Sequence, residues 1–241
     1  MVTARPYNTD EGVRVLQALI DQMLILWSNS SALLKGLEVT LELGFSFFAF
    51  GFLLAIFIAL GIVFAPKYVS SLLSGFSWVF RSLPAIILLF IFYYGPARIG
   101  LDISPFWAAL LALGLRHAGY QAHYFRGAIQ SIGTGQLEAA RSLGMSLPRG
   151  LFEIILPQML RFSLPASANE YAITIKDTSL AFAIGVVEIL QQGKYIVARE
   201  YNPLAVYITI AVIYWIITRA GTRIFAYLEE RYMVPGFDLE R

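Results

Sequence analysis

From Leu43 to Ala65 the chain reads LGFSFFAFGFLLAIFIALGIVFA, without one charged side chain. A helix of that length spans the roughly 30 Å hydrocarbon core of a bilayer. Lipid offers no hydrogen bonds, so the backbone of such a run must bond to itself, and a helix is the form that does so within one segment. Only 14% of the chain is charged and 58% is hydrophobic, against roughly 25% and 45–50% in a soluble domain. The chain is therefore expected to be an all-α membrane protein. Four further spans are expected, making about five. They run from about Ser82 to Tyr94, from Pro105 to about Phe125, from between Pro157 and Pro165 to about Ile189, and from Pro203 to about Thr218.

Five spans put the termini on opposite sides. Arg141, Arg149, Arg219, Arg223 and Arg231 then fall on the side of the C-terminus, which the positive-inside rule makes cytoplasmic, with the N-terminus outside. Ahead of the first span, Leu16, Leu19, Ile20, Met23, Leu24 and Trp27 recur at helical spacing, with Asp21 and Gln22 off the stripe. This predicts an amphipathic, extracytoplasmic helix in an N-terminal appendage, residues 1–34. It either rests on the lipid surface or packs on the rest of the protein. Residues 35–241 form one membrane domain. The net charge of +2 and the lack of a basic patch argue against nucleic acid. The absence of cysteine excludes disulfides, thiolate metal sites and Cys nucleophiles.

Residues 135–157 interrupt this oily chain. Glu138 to Met145 consists of good helix formers that Gly144 is placed to stop. Thr134 is positioned as an N-cap with Glu138 in the first turn, and Ser146 with Pro148 suits the start of a second helix. Glu138-Ala139-Ala140 is followed after three residues by Gly144, and nine residues later by Ile154-Ile155-Leu156-Pro157. This spacing resembles the EAA motif of permease subunits of binding-protein-dependent ABC importers at every fixed position. The flanks YFRGAIQSI, LPQMLR and NEYAITIKDTSLAFAIGVVEI, with GLEVTLEL and LDISPFWAALLALGL earlier, resemble the polar amino-acid branch of that family.

The resemblance implies the type I importer permease fold with a cytoplasmic coupling helix. Glu138, Ala139, Ala140, Arg141, Gly144 and Pro157 then belong to the segment that docks on a separate ATPase subunit. Ala139 and Ala140 would allow close approach, with Glu138 and Arg141 at the rim. No G-x-x-x-x-G-K-[S/T] stretch occurs; Gly193-Lys194 is followed by Tyr195. The chain is thus expected to bind no cofactor and to do no covalent chemistry. ATP and Mg would sit on a partner ABC ATPase dimer. A second permease subunit, identical or not, and an extracytoplasmic amino-acid-binding protein complete the expected assembly in the inner membrane. Methionine or an opine is the alternative cargo. A channel or scaffold subunit without ATP coupling, and an intramembrane enzyme built on His117, His123 and Asp177, are the readings from other classes.

An ionisable side chain at mid-bilayer costs about 2.5–3.5 kcal/mol on insertion scales and so has a partner or a task. Asp177 in IKDTSLAF, with Thr178 and Ser179, interrupts an apolar span, as substrate sites do. In related permeases this stretch lines the translocation path. The competing reading is an ion pair, with Arg116 rather than the sequence neighbour Lys176, because adjacent residues on a helix point apart. Arg116 stands where the family pattern has Asn, His117 where it has Ser, and His123 where it has Glu. Arg116 either pairs with Asp177 or Glu170 or favours a substrate with an extra negative charge. His117 and His123 do not share a helix face and no third ligand accompanies them, so polar packing is expected and no metal site. Glu170 is a second pathway candidate. Arg81 is a pathway candidate whose plainer reading is an interfacial anchor, with Pro84 kinking or starting the second span.

Overall fold

The computed structural model describes residues 22 to 232, together with Gln17 and Ile20. The other N-terminal residues of the expected appendage, Leu16, Leu19 and Asp21 among them, lie outside the described residues. Residues 22–28 form helix α1, followed by α2 (Ser30–Phe64), α3 (Lys67–Ser82), α4 (Ala85–Ala97) and α5 (Pro105–Ile132). The short helices α6 (Gly135–Ser142) and α7 (Leu147–Gly150) lead through a π-helical turn, Leu151–Ile155, into α8 (Leu156–Phe162) and α9 (Leu164–Asp177). A 3-10 turn, Thr178–Ile184, precedes α10 (Ile189–Glu200) and α11 (Pro203–Tyr232). No strand occurs among the described residues, and the fold is all-α.

Two helices, α2 and α11, are long and apolar enough to cross a bilayer on their own, and α3 with α4 makes a third crossing if the bent pair is one span. Helix α2 starts well before Leu43 because its first turns are held by protein. Leu33 packs with Ile189, Ile196, Val206 and Ile210, and Gly36 lies against the backbone of Ile189. At 35 residues it is about 50 Å long, more than the bilayer core requires.

Helix α5 lies along α2, and small side chains make the approach close. Ala108, Ala112, Ala118 and Ala122 of α5 are fully buried, as are Leu43, Phe47 and Ala55 of α2. At the crossing a Cβ on Gly51 would lie 2.8 Å from the Gly114 carbonyl oxygen and 3.0 Å from the Ala118 nitrogen. Lipid tails provide no hydrophobic drive between helices, so van der Waals contact through such small residues carries the association.

The second span is not a simple helix from Ser82 to Tyr94. The chain bends by 106° between α3 and α4. Leu83 N–H closes α3 on the Val79 carbonyl, and the Pro84 carbonyl receives the first bonds of α4 from Ile87 and Leu88. Proline restricts Leu83 to extended backbone, which ends the first helix there. Helix α4 alone has 13 residues, about 20 Å, too short to cross. The fourth expected span is also broken. Helix α9 stops at Asp177, and the chain turns through Gly185, at φ +93, before Glu188 starts α10.

Asn29 fastens α1 to the far end of α10, accepting from Arg199 Nη2 at 2.7 Å. Ile25 and Leu26 pack on the cluster around Ile189, whereas Met23, Leu24 and Trp27 face outward. Helix α1 therefore rests on the protein by one edge and leaves Met23, Leu24 and Trp27 uncovered.

Candidate functional site

The chain leaves α5 at Gly133 and returns at α8 through a compact hairpin. Helix α6 ends in a Schellman motif: Met145 N–H bonds the Ala140 carbonyl at 3.1 Å and Gly144 N–H bonds that of Arg141 at 3.0 Å. Gly144 occupies the left-handed region at φ +83, which favours glycine. Thr134 and Ser146 stand at the helix starts but make no side-chain cap bond, so the backbone alone begins these helices. The hairpin closes on itself where Gly150 meets Leu137 and Ala140. Ala140 is consequently buried, and of the alanine pair only Ala139 is presented, together with Glu138 and Arg141. Leu143 is 85% exposed at the tip, an apolar side chain that the charge-based reading of this segment passed over. Pro157 lies further back, half-buried at the start of α8.

A second constellation lies midway along α5, where it faces α9 in an antiparallel ladder of polar pairs. Arg116 Nη1 donates to Asp177 Oδ2 at 2.8 Å, with the two side chains 18% and 24% exposed. One residue on, His117 Nδ1 is 3.0 Å from both Glu170 Oε1 and Thr174 Oγ1, and the Nδ1–H tautomer donates to this carboxylate. One turn further, Gln121 Nε2 donates to Ser167 Oγ at 2.5 Å. Helical spacing on α5 and α9 puts these residues on facing stripes. His117, Gln121 and Glu170 are almost fully buried.

Arg81 joins this ladder from the bend between α3 and α4. Its Cγ packs toward Gly119, and its guanidinium lies 5.3 Å from the Tyr120 ring centre; that of Arg116 lies 4.9 Å from the same centre. Tyr120 O–H donates to the Arg81 carbonyl at 3.1 Å. Arg81 therefore packs against α5 at Gly119 and Tyr120. The bend carries it to the middle of α5, beside Arg116.

The remaining candidates separate. Lys176 is exposed and forms no ion pair with Asp177 within 4.0 Å, as helix geometry requires. Thr178 is fully buried and turns toward α11, 3.2 Å from Tyr214 Oη. Ser179 bonds its own helix through the Lys176 carbonyl. His123 is exposed and does not meet His117, and no cluster of three metal-ligating side chains occurs among the described residues. Sequence reasoning missed Glu188, which is fully buried. It caps α10 by accepting from Leu190 and Gln191 N–H at 2.8 Å each, and it accepts from Tyr214 O–H at 3.1 Å. Glutamate is not a usual N-cap, and the fourth expected span ended at about Ile189, so the start of α10 there carried no sequence signal.

Residues 47–234 match the family described as Binding-protein-dependent transport system inner membrane component. The chain belongs to that family. The permease is similar to the nopaline transport system permease protein of Agrobacterium fabrum, 38% identical over 202 residues, which cover 80% of this chain and 84% of that one. It is also similar to an L-cystine transport system permease protein of Bacillus subtilis, 35% identical over 202 residues, 81% of this chain and 84% of that one. Among solved structures, an amino acid ABC transporter crystallised with histidines matches with TM-score 0.78 at 31% identity, covering 86% of the permease and 97% of that chain. A methionine ABC transporter matches with TM-score 0.68 at 23% identity, covering 83% and 98%, and shows the shared fold alone. The permease thus has the type I importer architecture, and its relatives are transport-system permease subunits. In this family frame the hairpin and the polar ladder lie on one continuous path of helices, α5 into α6 and α8 into α9.

Proposed function

We propose that this chain is the membrane subunit of an ATP-driven importer for a polar amino acid or a related opine, and that α6 and its turn couple it to a separate ATPase. One observation carries the coupling: a hairpin locked by its own backbone bonds that shows Glu138, Ala139, Arg141 and Leu143 outward. A rigid projection with an apolar tip and a charged rim can transmit a rigid-body movement, where a floppy loop would absorb it. Because α6 is joined directly to α5, and α8 to α9, a displacement of the hairpin acts on both helices that hold the polar ladder.

The ladder is the proposed translocation path, with Arg116, Asp177, Glu170 and Arg81 lining it. Ser179 stands at its edge, and Thr178 acts from behind by fixing the break after Asp177. ATP and Mg act on the partner ATPase dimer, and this chain holds neither. A second permease subunit completes the pore. An extracytoplasmic binding protein delivers the cargo to the outer face, where Met23, Leu24 and Trp27 of α1 meet lipid or that protein. The hairpin and the C-terminus are cytoplasmic and the N-terminus lies outside.

The names of the similar proteins, nopaline and L-cystine transporters among them, support the amino-acid and opine class over methionine. Reconstitution into liposomes with the cognate ATPase and binding protein tests the reading. ATP-dependent uptake must require this chain and must fall with Glu138→Lys or Gly144→Arg while the chain itself remains folded. Uptake and assembly untouched by both substitutions would leave a channel or scaffold subunit as the better reading.

A further inference from the structure

The ladder holds two arginines and two carboxylates, yet among the described residues only one arginine–carboxylate ion pair forms, Arg116 with Asp177. Two guanidinium groups, Arg81 and Arg116, flank Tyr120. Among the described residues only Asp177 lies within ion-pair range of either, and it meets Arg116 alone. Glu170 is held from the α5 side by His117. Arg116 spends one donor, Nη1, on Asp177, and its buried Nε has no partner; Arg81 Nε is buried and unpartnered too. A guanidinium binds a carboxylate best through two parallel N–H donors, and the Nε edge provides such a pair. Each arginine is thus fixed by Tyr120 with that edge uncommitted. On the other side, Glu170 Oε2 is buried and makes no hydrogen bond within 3.5 Å, with Tyr124 close to the carboxylate, and Asp177 uses only Oδ2 on Arg116.

We propose that Arg81 and Arg116 form a twin carboxylate subsite, so that this permease prefers amino acids bearing a second carboxylate over neutral and cationic ones. The ligand's two carboxylates take the free edges of the arginines, and its ammonium takes Glu170 Oε2 and Asp177. The inference rests on the importer reading above but not on which binding protein delivers the cargo. A fixed cation deep in the membrane is costly without a counter-ion. A ligand carboxylate provides one only while it passes, and the Tyr120 face holds the empty state.

The test is equilibrium binding of radiolabelled L-glutamate to the detergent-purified permease–ATPase complex without binding protein. Competitors are L-glutamine, L-lysine and sodium phosphate. We expect glutamate to bind about tenfold or more tighter than glutamine, since charge-assisted bonds at the second arginine are lost in the amide. Arg81→Gln should abolish that ratio and Arg81→Lys should restore part of it. Because Arg116→Gln leaves Asp177 without its partner, the double variant Arg116→Gln/Asp177→Asn is measured beside it. It should lose the glutamate preference while keeping weak glutamine binding. Equal affinity for glutamate and glutamine, an unchanged ratio in Arg81→Gln, or displacement of glutamate by phosphate at matching concentration would overturn the subsite. So would ATP-driven uptake by a complex that binds no amino acid. Loss of ATP-driven uptake for every amino acid would instead count against the importer reading.

Discussion

Gly51→Ala adds one methyl group and should cost more than many larger changes. The added Cβ lies 2.8 Å from the Gly114 carbonyl oxygen and 3.0 Å from the Ala118 nitrogen. Both are backbone atoms of α5 and cannot swing aside. The methyl also collides with the His117 ring, which holds Glu170 and Thr174. Overpacking of this kind costs about 1–3 kcal/mol, offset by about 0.5–1 kcal/mol from replacing a helical glycine with alanine. A net loss of up to about 2.5 kcal/mol is expected, and a difference of about 1–3 kcal/mol from a site where the methyl is free. The matched control is Gly127→Ala in α5, where an added Cβ meets nothing within 4 Å. There only the helix-propensity gain remains, so the same chemical change should be neutral or stabilising by up to about 1 kcal/mol. Thermal unfolding of both variants in one detergent reads the difference. Two variants moving together would refute the idea that α2 and α5 meet backbone to backbone at this point.

The Arg116–Asp177 pair should show a coupling of about 1–3 kcal/mol in a double-mutant cycle with Gln and Asn. That is less than a fully buried pair because both side chains are partly exposed, and additive single effects would deny the pairing. Lys176→Gln should leave stability within about 0.5 kcal/mol, as expected of an exposed, unpaired residue. Glu188→Gln should destabilise the junction of α9 and α10 by about 1–2 kcal/mol, since its carboxylate accepts two backbone N–H groups and Tyr214 O–H. Thermal unfolding that matches the parent protein would place the cap elsewhere. Gly144→Ala should strain the Schellman turn by about 1 kcal/mol and reduce ATP-driven uptake more than stability.

The membrane class, the hairpin and its glycine stop were legible because each has a strong local signature: an uncharged run, a helix-former cluster, a fixed spacing. The Arg116–Asp177 pairing was one of the readings the residues allowed, and geometry along a helix disfavours Lys176 as the partner. What the sequence hid depends on tertiary position. Helix α3 lies between the first two expected spans, in a stretch whose hydrophobic residues are diluted by serines. The depth of Arg81 depends on the 106° bend, which Pro84 announces as a break but not as a direction. Ala140 looked like a contact for another protein, yet the return of the chain at Gly150 buries it. Leu143 was overlooked because a leucine in an oily chain draws no notice until the fold leaves it 85% exposed. Glu188 lay in an apolar stretch where only the start of α10 gives it a role.

The central claim is that the hairpin tip is where an ATPase attaches, and one labelling experiment addresses it. The chain contains no cysteine, so Leu143→Cys introduces a single thiol at that tip. Maleimide labelling is followed with and without the cognate ATPase, in membranes where Tyr68→Cys, on the exposed face of α3, serves as the reference thiol. The account predicts that Cys at 143 reacts readily in the permease alone and is protected once the ATPase is bound, while the reference is unaffected. Equal labelling at 143 with and without an ATPase that still drives uptake would show that the engine attaches elsewhere.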